Sequence, residues 1–89
     1  MNLSNRVIAV IGLGYVGLPL AIEYGKKYRV IGFDIHQARV DELNRGEDHT
    51  LEADLVGMKQ ARDAYESTKK IGLTFTSNME DLKQVNTYI

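Results

Sequence analysis

The sequence predicts an α/β domain built on a parallel sheet. Three observations carry this reading. Strand-like apolar runs alternate with helical patterns along the whole chain. A glycine-rich turn joins the first strand to the first helix, and an acid, Asp34, closes the second strand. Right-handed crossovers then place four strands in the order 3-2-1-4.

Arg6 to Ile11 reads as the first strand, a β-branched run of the kind covered on both faces of a sheet. Gly12 to Gly17 is the turn. Leu18, Ala21, Ile22 and Gly25 follow at i, i+3, i+4 and i+7, which is one face of a helix. Pro19 falls in that helix's first turn, where a missing N–H does no harm, and Lys26 and Lys27 suit its negative end. Arg29 to Asp34 (RVIGFD) is a second buried strand. His36 to Asn44 is a short helix with Val40 and Leu43 inward and Gly46 as its C-terminal cap. From Thr50 to Thr68, Leu51, Leu55, Met58, Ala61 and Tyr65 keep helical spacing, with Glu52 and Asp54 in the first turn. Leu73 to Thr76 is a third, short strand. Ser77-Asn-Met-Glu80 has the form of a capping box, so a short helix is expected to begin there. Asn86 to Ile89 opens a fourth strand.

Because the last residues stop just inside that strand, residues 1–89 are expected to be part of a larger domain, truncated at the start of strand 4. Partial cover would leave an apolar edge beside Val7 to Ile11, and such edges pair with other chains, so dimerisation or strand exchange is expected. Composition excludes several classes. With 44% hydrophobic and 26% charged residues and a net charge of -1, the chain has the make-up of a globular protein without the basic surface that nucleic acid requires. No stretch approaches the ~20 apolar residues of a membrane span, and the polar start has no signal-peptide pattern, so a cytoplasmic location is expected. There is no cysteine, which excludes disulfides and thiolate metal sites within this segment.

At ~7% glycine usage, three glycines at fixed spacing arise by chance in about 3% of chains this size, so Gly12-x-Gly14-x-x-Gly17 alone is a weak signal. Here it lies between a buried strand and a helix, with an acid ending the next strand, which is the Rossmann-type dinucleotide context. Gly12 then permits the tight turn, Gly14 lets a pyrophosphate approach the backbone, and Gly17 allows close helix packing. The N–H groups of Tyr15, Val16 and their neighbours, with the positive end of the helix dipole, form an anion site. The Tyr15 ring either touches the nicotinamide side or packs on the helix start.

Asp34 has two compatible roles: a helix N-cap, or an acceptor for the adenine ribose hydroxyls. A 2'-phosphate ~4 Å from this carboxylate would meet roughly 4 kcal/mol of repulsion at an effective dielectric near 20, so NAD is expected over NADP. Arg39, one helical turn on, either lies over the adenosine or is a solvated helix charge. His36 and His49 read as exposed or locally bonded rather than catalytic. Glu47, Asp48 and His49 lack ligand spacing and read as a charged loop, so no metal site and no catalytic residue is expected.

The strings "IAVIGLGYVGLPLA" and "VIGFDIHQARVDELNRGEDHT" closely resemble the amino-terminal domain of the UDP-glucose/GDP-mannose dehydrogenase family. The resemblance is strongest to the bacterial branch acting on UDP-N-acetylhexosamines or their uronate-forming relatives in surface polysaccharide synthesis. It covers essentially the whole chain, with Glu52 to Lys70 least diagnostic. It implies an NAD-dependent oxidation of a sugar C6 alcohol to a carboxylate, in two successive hydride transfers. It implies pyrophosphate contacts at Gly12 to Gly17, a ribose contact at Asp34 and an adenosine-end contact at Arg39. The family's catalytic cysteine and lysine have no counterparts in these residues. A nucleotide-sugar substrate and a homo-oligomeric parent are further implications. A non-catalytic dinucleotide-sensing module is the alternative; flavoenzymes and methyltransferases are disfavoured by "GYVGLPLA".

Overall fold

The computed structural model describes residues 6–48 and 54–89. Its elements run β1 (Val7–Ile11), α1 (Gly17–Gly25), β2 (Arg29–Phe33), α2 (Gln37–Asn44), α3 (Leu55–Thr68), β3 (Gly72–Thr76) and β4 (Thr87–Tyr88), with a 3-10 turn at Met79–Leu82. The four strands form one parallel sheet in the order β3-β2-β1-β4, as predicted.

All three helices pack on one face. Alternation along β1 sends Ile8 and Val10 to that face, where they meet Leu18, Ala21 and Ile22 of α1, Val40 and Leu43 of α2, and Met58 and Ala61 of α3. Truncating a fully buried member such as Leu18 to alanine would cost roughly 2–5 kcal/mol. The other face carries a thinner cover: Ala9, Ile31 and Phe33 lie under Leu82 of the 3-10 turn, flanked by Val7 and Val85. The β3–β4 crossover thus wraps this second face, and β1 and β2 are buried on both sides.

Three predicted details are corrected. Asp54 does not lie in the first turn of α3; it is the N-cap, with its carboxylate accepting from Gly57 N at 2.9 Å, so the described helix begins at Leu55. An Asp oxygen held against an N–H three residues on ends helical backbone at the cap. The expectations on His49, Thr50, Leu51 and Glu52 lie outside the described residues. The N-cap is Asn78 rather than Ser77: its side chain accepts from Glu80 N at 2.9 Å, and one 3-10 turn follows instead of an α-helix.

The third correction concerns the sheet edge. Val7 O accepts from Asn86 N at 3.0 Å, Ala9 O accepts from Ile89 N at 2.8 Å, and Ile11 N donates to Ile89 O at 3.0 Å. The edge of β1 is therefore covered from Val7 to Ile11, and the outer edge of the sheet belongs to β4. Four residues suffice because parallel pairing uses alternate residues of the incoming strand.

Candidate functional site

The glycine turn is built by contacts that only glycine tolerates. Gly12 has φ +90°, a left-handed conformation, and its N–H donates to Phe33 O at 2.8 Å, tying the end of β1 to the end of β2. A Cβ on Gly17 would fall 1.8 Å from Gly12 O. The close approach expected of Gly17 is thus to the turn's own carbonyl, with the Val10 side chain next at 3.5 Å. A Cβ on Gly14 would meet nothing within 4 Å.

The helix start is rich in donors. Val16 is the N-cap residue of α1 and makes no side-chain capping bond, and no acid lies in the first turn. Among the described residues, the N–H groups of Gly14, Tyr15 and Val16 have no hydrogen-bond acceptor. Tyr15 and Val16 are 68% and 74% exposed. Free amides, the positive end of the helix dipole and open space over Gly14 together make a place for an anion.

Asp34 sits beside this turn. Its Oδ2 accepts from Leu13 N at 3.0 Å; its Oδ1 accepts from His36 N at 2.9 Å and lies 2.9 Å from the His36 ring Nδ1. His36, in extended backbone, is the N-cap residue of α2, so Asp34 supports the helix start from two residues upstream. Burial would raise the Asp34 carboxyl, but the N–H groups of Leu13 and His36 and the His36 ring outweigh it and hold the group below its usual range. Asp34 is therefore a carboxylate at neutral pH with lone pairs to spare.

Arg39 is not a solvated helix charge: its side chain is only 10% exposed. Nε donates to Leu13 O at 2.8 Å; Nη1 donates to Asp48 Oδ1 at 2.8 Å and Glu42 Oε1 at 3.2 Å. Nη2 is buried and has no partner among the described residues. Burial lowers the basicity of this guanidinium, but the bonds and charges of Asp48 and Glu42 raise it beyond its ordinary value. Asp48, read from sequence as part of a charged loop, is buried, as is Glu42. Glu42, three residues past Arg39 on α2, is the one of the two whose spacing was a signal in the sequence.

Two adjoining hollows meet over Ile11 and Gly12 at the carboxyl ends of the strands. One, of about 300 Å³, lies toward β2 and is lined by Phe33, Asp34, Ile35 and His36. The other, of about 520 Å³, lies toward β4 and is lined by Gly14, Tyr15, Val16, Leu20 and Ile89 among others. In an open parallel sheet this is the switch point, where ligands bind. A separate cavity of about 440 Å³ between the end of α2, α3 and β3 shares no residue with the turn. Among the described residues there is no cluster of three metal-ligating side chains, and no helix is long and apolar enough to cross a membrane.

The donor set, the acid and the paired hollows fit a dinucleotide, and comparison with known proteins agrees. The family model described as the NAD binding domain of the UDP-glucose/GDP-mannose dehydrogenase family matches residues 6–87. The chain is 50% identical over 87 residues to a UDP-N-acetyl-D-glucosamine 6-dehydrogenase of Pseudomonas aeruginosa, covering 98% of this chain and 18% of that protein. It is 49% identical over 57 residues to a UDP-N-acetyl-D-mannosamine dehydrogenase of Escherichia coli K12, covering 63% and 14%. A solved UDP-D-ManNAc dehydrogenase from Pyrococcus horikoshii superposes with a TM-score of 0.74 at 34% identity, covering 93% of this chain and 19% of that one. The chain therefore spans less than a fifth of the length of these relatives. Glycine turn, acid, strand order and sequence identity converge: the chain belongs to the UDP-glucose/GDP-mannose dehydrogenase family, and the part of that family it represents is the NAD-binding domain.

Proposed function

We propose that this chain forms the cofactor half-site of an NAD-dependent nucleotide-sugar 6-dehydrogenase. The observation that carries the reading is the set of acceptor-less amides at Gly14, Tyr15 and Val16, beneath open space and beside an ionised Asp34. In this reading those amides hold the pyrophosphate, and Asp34 accepts from the adenine ribose hydroxyls with the lone pairs that Leu13 and His36 leave over. Gly12 and Gly17 shape the turn, and Arg39 supports the adenosine side. When bound, NAD would supply the hydride acceptor; these residues bind and orient it.

The relatives' names favour a UDP-N-acetylhexosamine as the substrate, and we take the reaction to be oxidation at C6 to the carboxylate in two hydride transfers. No residue here is assigned to that chemistry, and the groups performing it would lie in the rest of a longer enzyme, which we take to be a homo-oligomer. Calorimetric titration of NAD into this chain tests the half-site: saturable binding that weakens in Asp34→Ala is expected, and affinity equal in both would remove the ribose assignment. For the enzyme reading, a protein containing this domain should form two NADH per UDP-N-acetylhexosamine consumed; no turnover with any UDP-sugar would overturn it.

A further inference from the structure

We propose that Asp48 and Glu42, acting through Arg39, are positioning residues for the diphosphate cradle. The proposal rests on the reading of the Gly12–Gly17 turn as the pyrophosphate site. The two peptide units that flank Leu13 are each gripped. The Leu13 N–H donates to Asp34 Oδ2 at 3.0 Å and the Leu13 carbonyl accepts from Arg39 Nε at 2.8 Å. The Leu13 side chain is fully buried in the helical core, so residue 13 is fixed at three points. Peptide units are planar, so fixing the Leu13 carbonyl fixes the plane that continues into Gly14 N. The Gly14 N–H lies in that plane and leads the chain into the amides of Tyr15 and Val16, and none of the three has an acceptor among the described residues.

Arg39 can hold the carbonyl only if its own head is held. Asp48 and Glu42 do this from two places. Glu42 stands one turn along α2 from Arg39. Asp48 is returned to the guanidinium by the chain reversal at Gly46, where φ is +79°. Both carboxylates are buried, so the guanidinium and its two acids form an ion cluster inside the fold. Such a cluster is a poor device for stability alone, because well-packed apolar groups of equal volume serve as well or better. What apolar groups cannot do is aim a planar donor fork at a loop carbonyl while its other nitrogen is anchored. The arrangement therefore spends buried charge on the geometry of the turn.

The test uses the 89-residue chain with NAD as probe, in wild type, Asp48→Asn and Arg39→Lys. Leu73→Val, a core trim in β3 remote from the turn, controls for lost stability. Lysine keeps the positive charge but cannot bridge the carbonyl and both carboxylates. Asp48→Asn and Arg39→Lys are each expected to weaken NAD binding about ten-fold, the lower-end worth of one charge-assisted hydrogen bond. Leu73→Val should bind NAD like wild type well below its melting temperature. In ligand-free protein the amide resonances of Gly14, Tyr15 and Val16 should shift in both clamp variants and stay in Leu73→Val. If Asp48→Asn fails to fold, Arg39→Lys and Glu42→Gln decide the matter by the same two readouts. Wild-type affinity in a folded clamp variant, or unmoved amide resonances, overturns the proposal. Failure of wild type itself to bind NAD would instead overturn the half-site reading.

Discussion

The two sides of the crevice over Ile11 and Gly12 are built differently. Toward β2 the wall is tied down from behind by polar groups: Asp34, His36 and Arg39 are linked to one another's backbone or to the turn by bonds of 2.8–3.0 Å. Toward β4 the wall is apolar and open, with Ile11, Tyr15, Val16 and Ile89 all exposed. One side offers direction before any ligand arrives; the other offers area. Recognition on the first side should depend on single atoms, and on the second on summed contact, so substitutions should sort accordingly.

Gly17→Ala should give the largest effect. Its methyl would fall 1.8 Å from Gly12 O, a backbone atom, so relief requires moving the turn. A loss of about 3 kcal/mol or more is expected, the upper end for overpacking, together with loss of NAD binding. Thermal unfolding and titration check it; a wild-type melting curve would show that the turn is looser than its geometry.

Asp34→Ala should come next. It strips the acceptor from Leu13 N and His36 N, with an expected cost of about 1–3 kcal/mol by denaturant titration. The same acid predicts a pH dependence. Its carboxyl is held below its usual range, so its contribution to stability is complete above the unfolded-state value and is lost as pH falls through the lower folded-state value. The stability gap between wild type and Asp34→Asn should be widest near neutrality and close in acid. A gap that does not change with pH would contradict the ionised-acid assignment.

Tyr15→Ala should give the smallest effect on the fold, within about 0.5 kcal/mol, because the side chain is 68% exposed. A loss of several kcal/mol on unfolding would mean that the β4 side is as tied down as the β2 side.

The same division governs what the sequence could reveal. Strand order and the three helices were legible because they rest on local periodicity: Leu18, Ala21 and Ile22 on α1, and Val40 and Leu43 on α2, all point inward as their spacing demands. The glycines and Asp34 were legible because turn and anion chemistry restrict residue type at each position. The Arg39 cluster was not. Its partners are three and nine positions away in sequence, and whether an arginine on a short helix turns inward depends on where Gly46 sends the chain. Cover of β1 by Asn86 to Ile89 was misjudged for a related reason. Strand pairing is a tertiary fact, and few residues are enough when each carbonyl finds its N–H. The cap at Asp54, one residue before the helix, lies at the usual limit of boundary reading.

Gly14→Ala tests the half-site most directly, because it separates binding from folding. A methyl there meets no atom of the protein within 4 Å but would occupy the space over the free amides. NAD titration beside a melting curve should show affinity reduced roughly ten- to hundred-fold, as when one charge-assisted hydrogen bond is lost, with the melting temperature essentially that of wild type. Unchanged NAD affinity in a folded Gly14→Ala protein would contradict the placement of the diphosphate on this turn.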